Sequence, residues 1–414
     1  VSPRAIVLCA LAAIAAIAAD GADAEVRVAG RIDLRSVATR DGLAWPEGGP
    51  AKLRYASGRD LRLAHGVLLL GWQSDAHPLD AAIVLHAADD RSGVVDVTEA
   101  SLRWRPVPAG AWRSSLRVGA FFPEVSLESS GLGWTPSASL STSADNAWIG
   151  EELRTLGIEA TWSRPGRFIG SAHDWQVSAG LFTGNDTAGA LLAWRGWTVG
   201  DRLSGLRERI ALPALPTFEP DGGIPEQVPW TNPFREIDGR PGAYVLLGHA
   251  HASGWRSRLW LYDNFGDPSI LKSGQYSWRT RFVHGWVERR WSNGWALAFE
   301  AMTGSTQMGP RAMLAVDNDY ATSSLHLSRS ALGLAWGLRA ERFDVRDRDG
   351  TADDPNDERG SGLTLHASRA LAQTGWTLIA EASRVNSERP ARRLLGLHER
   401  RDETALSIAL RRHF

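Results

Sequence analysis

Five arginines, Arg256, Arg258, Arg279, Arg281 and Arg289, occur at alternating positions in a stretch running from Trp255 to Trp291. A guanidinium is a planar fork that grips phosphate or carboxylate at two points, so a set of them on one face can attract anions. The alternation suggests that face. Leu259 and Leu261 are opposite in parity to Arg256, Arg258, Tyr262 and Asn264, while Trp278, Phe282 and Trp286 are opposite to Arg279, Arg281 and Arg289. If the apolar sets lie in hydrocarbon, where an arginine costs about 2–4 kcal/mol at midplane, all five arginines are expected to line an aqueous channel. The plainer alternative is that they pair with interior carboxylates such as Glu159, Glu341 and Glu381 and only balance the charge of a wall.

Other chemistry-bearing groups are weaker. Residues 344–358 concentrate carboxylates around Gly350, which would suit a hard cation. Calcium-loop spacing fails there, because Val345 and Asn356 fall at the first and twelfth positions, and a solvated loop is the simpler reading. His249 and His251 share a strand face, but nothing near them in sequence completes a metal site. There is no H-E-x-x-H pair, Gly-x-Ser-x-Gly elbow, phosphate-binding loop or dinucleotide fingerprint. No metal and no cofactor are expected, and a formal net charge of −1 offers no signature for nucleic acid.

The elements that must carry these residues are strands. Val26, Val28, Ile32 and Leu34 alternate with Arg27, Arg31, Asp33 and Arg35; Leu334, Trp336 and Leu338 alternate with Ala335, Gly337 and Arg339; Trp376, Leu378, Ala380 and Ala382 alternate with Thr377, Glu381 and Ser383. Connections alternate long and short. Trp112, Trp175, Trp255, Trp295 and Trp376 each open a strand after a tight turn, as an interfacial aromatic girdle requires. These features predict an all-β fold, a closed antiparallel transmembrane β-barrel of 16–18 strands over residues 25–414, with short periplasmic turns and long extracellular loops. The count gives 18, or 16 if weak segments such as 79–88 or 94–105 are miscounted. Seven prolines (213, 216, 220, 225, 229, 233 and 241) rule out a strand over 213–241. That loop either folds inward to narrow the bore or covers the outer mouth.

Both ends of the sequence bear on location. Ser2-Pro3-Arg4, an apolar run from Ala5 to Ala19 and Ala22-Asp23-Ala24 read as a signal peptide over residues 1–24. The single cysteine, Cys9, lies within it, so disulfides are not expected in the rest. Leu406, Ile408 and Leu410 alternate toward Phe414. With the repeated amphipathic strands, these features resemble a Gram-negative porin-type outer-membrane protein. The resemblance implies that the last strand and its terminal aromatic are read by the barrel assembly machinery, although Arg412 departs from the usual apolar residue. The stretches Leu116–Pro123 and Glu152–Ala160 resemble the phosphate-selective porin type, without implying that selectivity.

The expectation is an outer-membrane porin: a passive channel for small hydrophilic solutes with an anion preference, surrounded by outer-membrane lipid and lipopolysaccharide. The resembled class is often trimeric, so a homotrimer is allowed. Two rivals stay open: an outer-membrane barrel enzyme of the lipase or protease type, and a secreted β-sandwich binding module.

Overall fold

The computed structural model describes residues 24–40, 44–56, 61–74, 77–91, 93, 95–108, 110–310, 313–351 and 353–414. The expected signal peptide lies outside the described residues, apart from Ala24 at the start of the first strand. Sixteen antiparallel strands form one closed barrel. In chain order they are β1 Ala24–Thr39, β2 Leu61–Ser74, β3 Leu79–Ala87, β4 Val95–Trp104, β5 Arg113–Phe121, β6 Thr155–Arg164, β7 His173–Thr183 and β8 Gly242–His251. They continue as β9 Trp255–Asp263, β10 Arg279–Arg290, β11 Trp295–Met308, β12 Val316–Ala331, β13 Leu334–Asp347, β14 Glu358–Leu371, β15 Trp376–Glu388 and β16 Arg400–His413. Each pairs with its sequence neighbour, and β1 closes on β16 from Arg31↔His413 to Thr39↔Ala405. Closure leaves no edge, which is what hydrocarbon demands of a spanning sheet.

Two close approaches show how glycine is used. Phe414 exchanges backbone hydrogen bonds with Gly30, at 2.7 and 3.1 Å. Its ring lies over Gly30 so tightly that a Cβ there would fall 2.1 Å from the ring. At the β10–β11 turn Gly294 has φ +86°, and a Cβ would fall 2.2 Å from the Ser330 carbonyl. That left-handed conformation is open to glycine at little steric cost.

The barrel has sixteen strands, the lower figure of the expected 16–18. Segments 79–88 and 94–105 are genuine strands, β3 and β4. A count of 18 requires two further strands between 189 and 213. That stretch instead holds a short helix, α2 (Ala190–Trp194), and irregular chain. Eight loops lie at one end: L1 40–60, L2 88–94, L3 122–154, L4 184–241, L5 264–278, L6 309–315, L7 348–357 and L8 389–399. L3 carries the longer helix α1 (Ala144–Glu152), all nine residues of which are buried.

The core sits inside the barrel. Trp148, Leu192, Trp197, Val199 and Leu203 from L3 and L4 pack with Leu246, Trp260, Phe282, Met302, Tyr320 and Phe343 from the inner wall. Trp148 meets Trp197, Phe282 and Tyr320 edge-on at centroid distances of 5.8, 5.8 and 5.3 Å. Edge-to-face pairs at such distances add about 0.5–1.5 kcal/mol each beyond area burial.

Candidate functional site

L3 and L4 are tied to the wall by buried polar contacts. On β1, Arg31 donates to Thr135 Oγ1 (2.6 Å) and the Pro136 carbonyl (2.7 Å), and Arg35 donates to the Leu140 carbonyl (2.8 Å). Glu381 on β15 accepts the Leu140 (2.7 Å) and Ser141 (3.2 Å) amides. Glu341 on β13 accepts the Ala144 amide at the start of α1 (2.9 Å), which satisfies a free helix N–H with a negative charge. Asp201 of L4 gathers Arg35, Arg54 and His65, each at 2.8 Å. The mid-bore is therefore occupied by L3 and L4, against the expectation of an open aqueous channel.

Glu152, at the end of α1, joins the two loops. Its carboxylate accepts Trp148 Nε1 (2.6 Å) and the Gly189 (3.1 Å) and Leu191 (3.0 Å) amides. Burial pushes this carboxyl up to about 7. The folded chain then holds a proton that the unfolded chain releases at lower pH, so its stabilising contribution is complete in acid and lost as pH rises through about 7. Melting temperatures of the detergent-folded protein between pH 5 and 8 are expected to fall with pH, and more steeply than those of Glu152→Gln. Parallel profiles would contradict this.

Below the loops, toward the short turns, a cavity of about 640 Å³ is lined by Glu99, Arg117, Glu124, Arg256, Arg258 and Arg290 among others. Arg256 Nε and Arg290 Nε both lie 2.8 Å from Glu288 Oε2. Arg258 lies 3.4 Å from Glu124, and Arg117 2.8 Å from Glu159, which also accepts Tyr244 Oη at 2.8 Å. Trp286 donates to the Val125 carbonyl at 2.7 Å, sealing the basin against L3. Side-chain exposures of 43 % at Arg256 and 62 % at Arg290 show that solvent reaches this basin.

Of the five predicted lining arginines, Arg256 and Arg258 project into the basin, each with a carboxylate partner. The assignment of Arg279, Arg281 and Arg289 is corrected: they stand on the outward face of β10. Arg281 Nε donates to Ser305 Oγ on the outer surface (3.1 Å), and Arg289 lies over the rings of Trp255 and Trp291. Trp278, Phe282 and Trp286 point inward, 1, 4 and 9 % exposed. The parity argument inverted on β10 because the bore there is dry. Apolar residues on that strand pack against L3 and L4 instead of lipid, and Arg279 and Arg281 lie toward the loop end rather than at midplane.

The remaining predicted positions are as follows. Trp112, Trp175, Trp255, Trp295 and Trp376 all lie at the short-turn end with outward parity. They are joined there by Trp336, 5.3 Å from Trp295, which sequence reasoning left out. Leu406, Ile408 and Leu410 face outward on β16, and Phe414 is exposed. His249 and His251 also face outward, and His173, on β7, completes a histidine cluster with its Nδ1 3.0 Å from His249 Nε2. Within 344–358, Asp354 is buried and accepts Trp194 Nε1 (3.3 Å), and Asp353 accepts the Gly223 amide (2.6 Å), so this loop docks on L4 rather than standing free. The proline-rich part of L4 meets L5, with the Val228 amide donating to the Gly274 carbonyl (2.8 Å). It covers the mouth, while residues 185–206 enter the bore.

The chain matches no protein-family model and no curated protein. Among solved structures it is similar to the outer membrane channel DcaP of Acinetobacter baumannii, at 8 % identity and TM-score 0.57, with 94 % of this chain and 97 % of that one covered. It is similar to an anion-selective porin from Comamonas acidovorans at 12 % identity and TM-score 0.52, over 95 % and 100 % of the two chains. It is also similar to the trimer form of OmpT, an outer membrane protein of Vibrio cholerae, at 8 % identity and TM-score 0.53, over 94 % and 99 %. Together with the closed ladder, these likenesses establish the porin-type outer-membrane β-barrel fold.

Proposed function

We propose that this chain is an outer-membrane channel for small hydrophilic solutes with a mild preference for anions, its bore held narrow by L3 and L4. The observation that carries the reading is a charged, solvent-open basin inside a closed barrel whose outward positions, such as Leu261, Val283 and Ile408, are apolar. Arg117, Arg256, Arg258 and Arg290 line it with Glu99 and Glu124, four positive charges to two negative. Transport is by diffusion, with selectivity set by bore and charge and no covalent step.

The five outward tryptophans form the interfacial girdle, the β16 residues and Phe414 the signal for the assembly machinery, and lipopolysaccharide surrounds the loop end. A homotrimer accords with the trimer form described for OmpT.

Planar-bilayer recordings of refolded protein test this. Small unitary conductance with an anion-to-cation permeability ratio above one is expected. A unit charge at about 4 Å is worth about 1 kcal/mol in water, reduced further by salt. Arg256→Gln with Arg258→Gln should therefore lower the ratio about two- to fivefold, while Arg279→Gln with Arg281→Gln leaves it unchanged. No conductance in the wild type or in any loop-loosened variant would end the reading.

A further inference from the structure

Where α1 begins, carboxylates and imidazoles from four elements converge in the dry interior. Asp145 lies in the first turn of α1; His284, Glu300 and His326 project inward from β10, β11 and β12; Glu128 comes from L3. One ligating atom from each of Asp145, His284 and Glu300 lies within 4.8 Å of the others, and the same holds for Glu128, Glu300 and His326. Asp145, His284 and Glu300 are at most 1 % exposed.

Hydrogen bonding leaves this cluster short of donors. His284 Nε2 lies between Glu300 Oε1 (3.0 Å) and Asp145 Oδ2 (3.3 Å), and carries at most one proton for the two. Beyond that one shared proton, neither Asp145 Oδ2 nor Glu300 Oε2 has a hydrogen-bond partner among the described residues. A buried polar atom left in that state carries its full desolvation cost, larger still for a charged group. Glu128, by contrast, is well supplied: Arg339 Nη1 (2.7 Å), the Ser143 amide (2.7 Å) and Asn146 Nδ2 (3.2 Å) all donate to it. The deficit is confined to the oxygens that face His284 and His326.

We propose that Asp145, His284 and Glu300 bind one divalent transition-metal ion of the zinc type, with the fourth position left to water, and that the ion clamps L3 to the inner wall. Bonds of about 2.0–2.1 Å in a tetrahedron set neighbouring donors about 3.4 Å apart, close to the two separations around His284 Nε2. Mixed nitrogen and oxygen donors suit zinc and its first-row neighbours, whereas calcium and magnesium take oxygen alone. Ser143 Oγ donates to Asp145 Oδ1 (2.6 Å), which holds that carboxylate in place. Such partners orient metal ligands. A cleft of about 120 Å³, lined by exposed Arg290 and by His366, Glu128 and His326, ends beside the cluster, where Glu128 and His326 neighbour Glu300.

The test is titration of chelator-stripped, detergent-folded full-length protein with Co²⁺, followed by its visible absorption, and with Zn²⁺, followed by melting temperature. One Co²⁺ per chain is expected, with intense low-coordinate bands, and Zn²⁺ should raise the melting temperature. Second-shell changes typically cost 10–100-fold in metal affinity, so ligand variants His284→Gln and Glu300→Gln should each lose about 100-fold or more. Asp145→Asn alters only a loop, leaves the wall strands intact, and should show the same loss should the wall variants fail to fold. Wild type that binds neither ion, or Asp145→Asn that binds both as tightly, overturns the proposal. So does a site abolished by His249→Asn but retained in His284→Gln, which would place the ion at the outer cluster of His173, His249 and His251.

Discussion

Asp201→Ala is expected to release L4 from the bore and raise unitary conductance several-fold while the barrel stays closed. One carboxylate here holds two arginines and a histidine, with Arg35, Arg54 and His65 all at 2.8 Å and all buried. Burial alone would raise this acid's pKa, but Arg35, His65 and Arg54 together hold it well below the usual carboxylate range. A carboxyl with a depressed native pKa loses its contribution only as pH falls through that value, so this latch should not respond between pH 5 and 8. Removing it leaves Arg35 with only the longer contact to Asp33 (3.5 Å) while Arg54 keeps Asp90 (2.7 Å), so the loss should lie near the lower end of the about 3–5 kcal/mol that breaking a buried pair costs. The sixteen-strand ladder does not pass through Asp201, so heat-modifiable mobility on gels should persist even as the melting temperature falls. Unchanged conductance together with an unchanged melting temperature would show that Asp201 is not the latch.

Arg339→Met should produce the corresponding release of L3. The guanidinium of Arg339 reaches Glu128 (2.7 Å), Glu341 (3.1 Å) and the carbonyls of Ser141 (3.1 Å) and Thr142 (3.0 Å) from one position on β13. It holds two carboxylates and two backbone acceptors just before α1. Methionine matches its bulk but leaves Glu128 and Glu341 buried without a cation, again a loss of about 3–5 kcal/mol. The expected readouts are a larger conductance and greater noise from an untethered L3, with the far-ultraviolet signature of the barrel retained. A variant with wild-type conductance and melting temperature would show that the contacts of β1 and β15 hold L3 without it.

The two latches explain why a filled bore is compatible with a channel fold. Both loops are held by discrete polar contacts to the wall, with only a few hydrogen bonds between main chains. Such attachments can be altered one at a time without disturbing the ladder, as the proposed metal clamp at Asp145 would also do.

Much of the wall was legible in the chain because its determinants are local. A period of two reveals a strand, and Ser292-Asn293-Gly294 reveals a turn because its glycine must adopt a positive φ. Tryptophans that follow tight turns mark one end of the sheet. Where the bore is lined by charge, parity also identified the inner face: Arg31, Asp33 and Arg35 on β1, and Arg339 and Glu341 on β13, point inward as expected. The reading falls short between 189 and 213, where apolar residues that an 18-strand count needs as membrane strands are buried within the barrel instead. It failed again on β10, where the apolar face turned inward.

Both failures have one cause. Alternation records that a strand has an apolar side, but not whether lipid or protein covers it. That depends on which loops enter the bore, and those loops are held by partners far apart in sequence, such as Arg31 with Thr135, 104 positions away, or Arg35 with Asp201, 166 positions away. The same holds for Asp145, His284 and Glu300, which share no sequence motif and meet only because L3 folds against β10 and β11. Local periodicity determined the barrel wall; tertiary packing alone decided what fills it, because burial is a property of distant chain segments brought together.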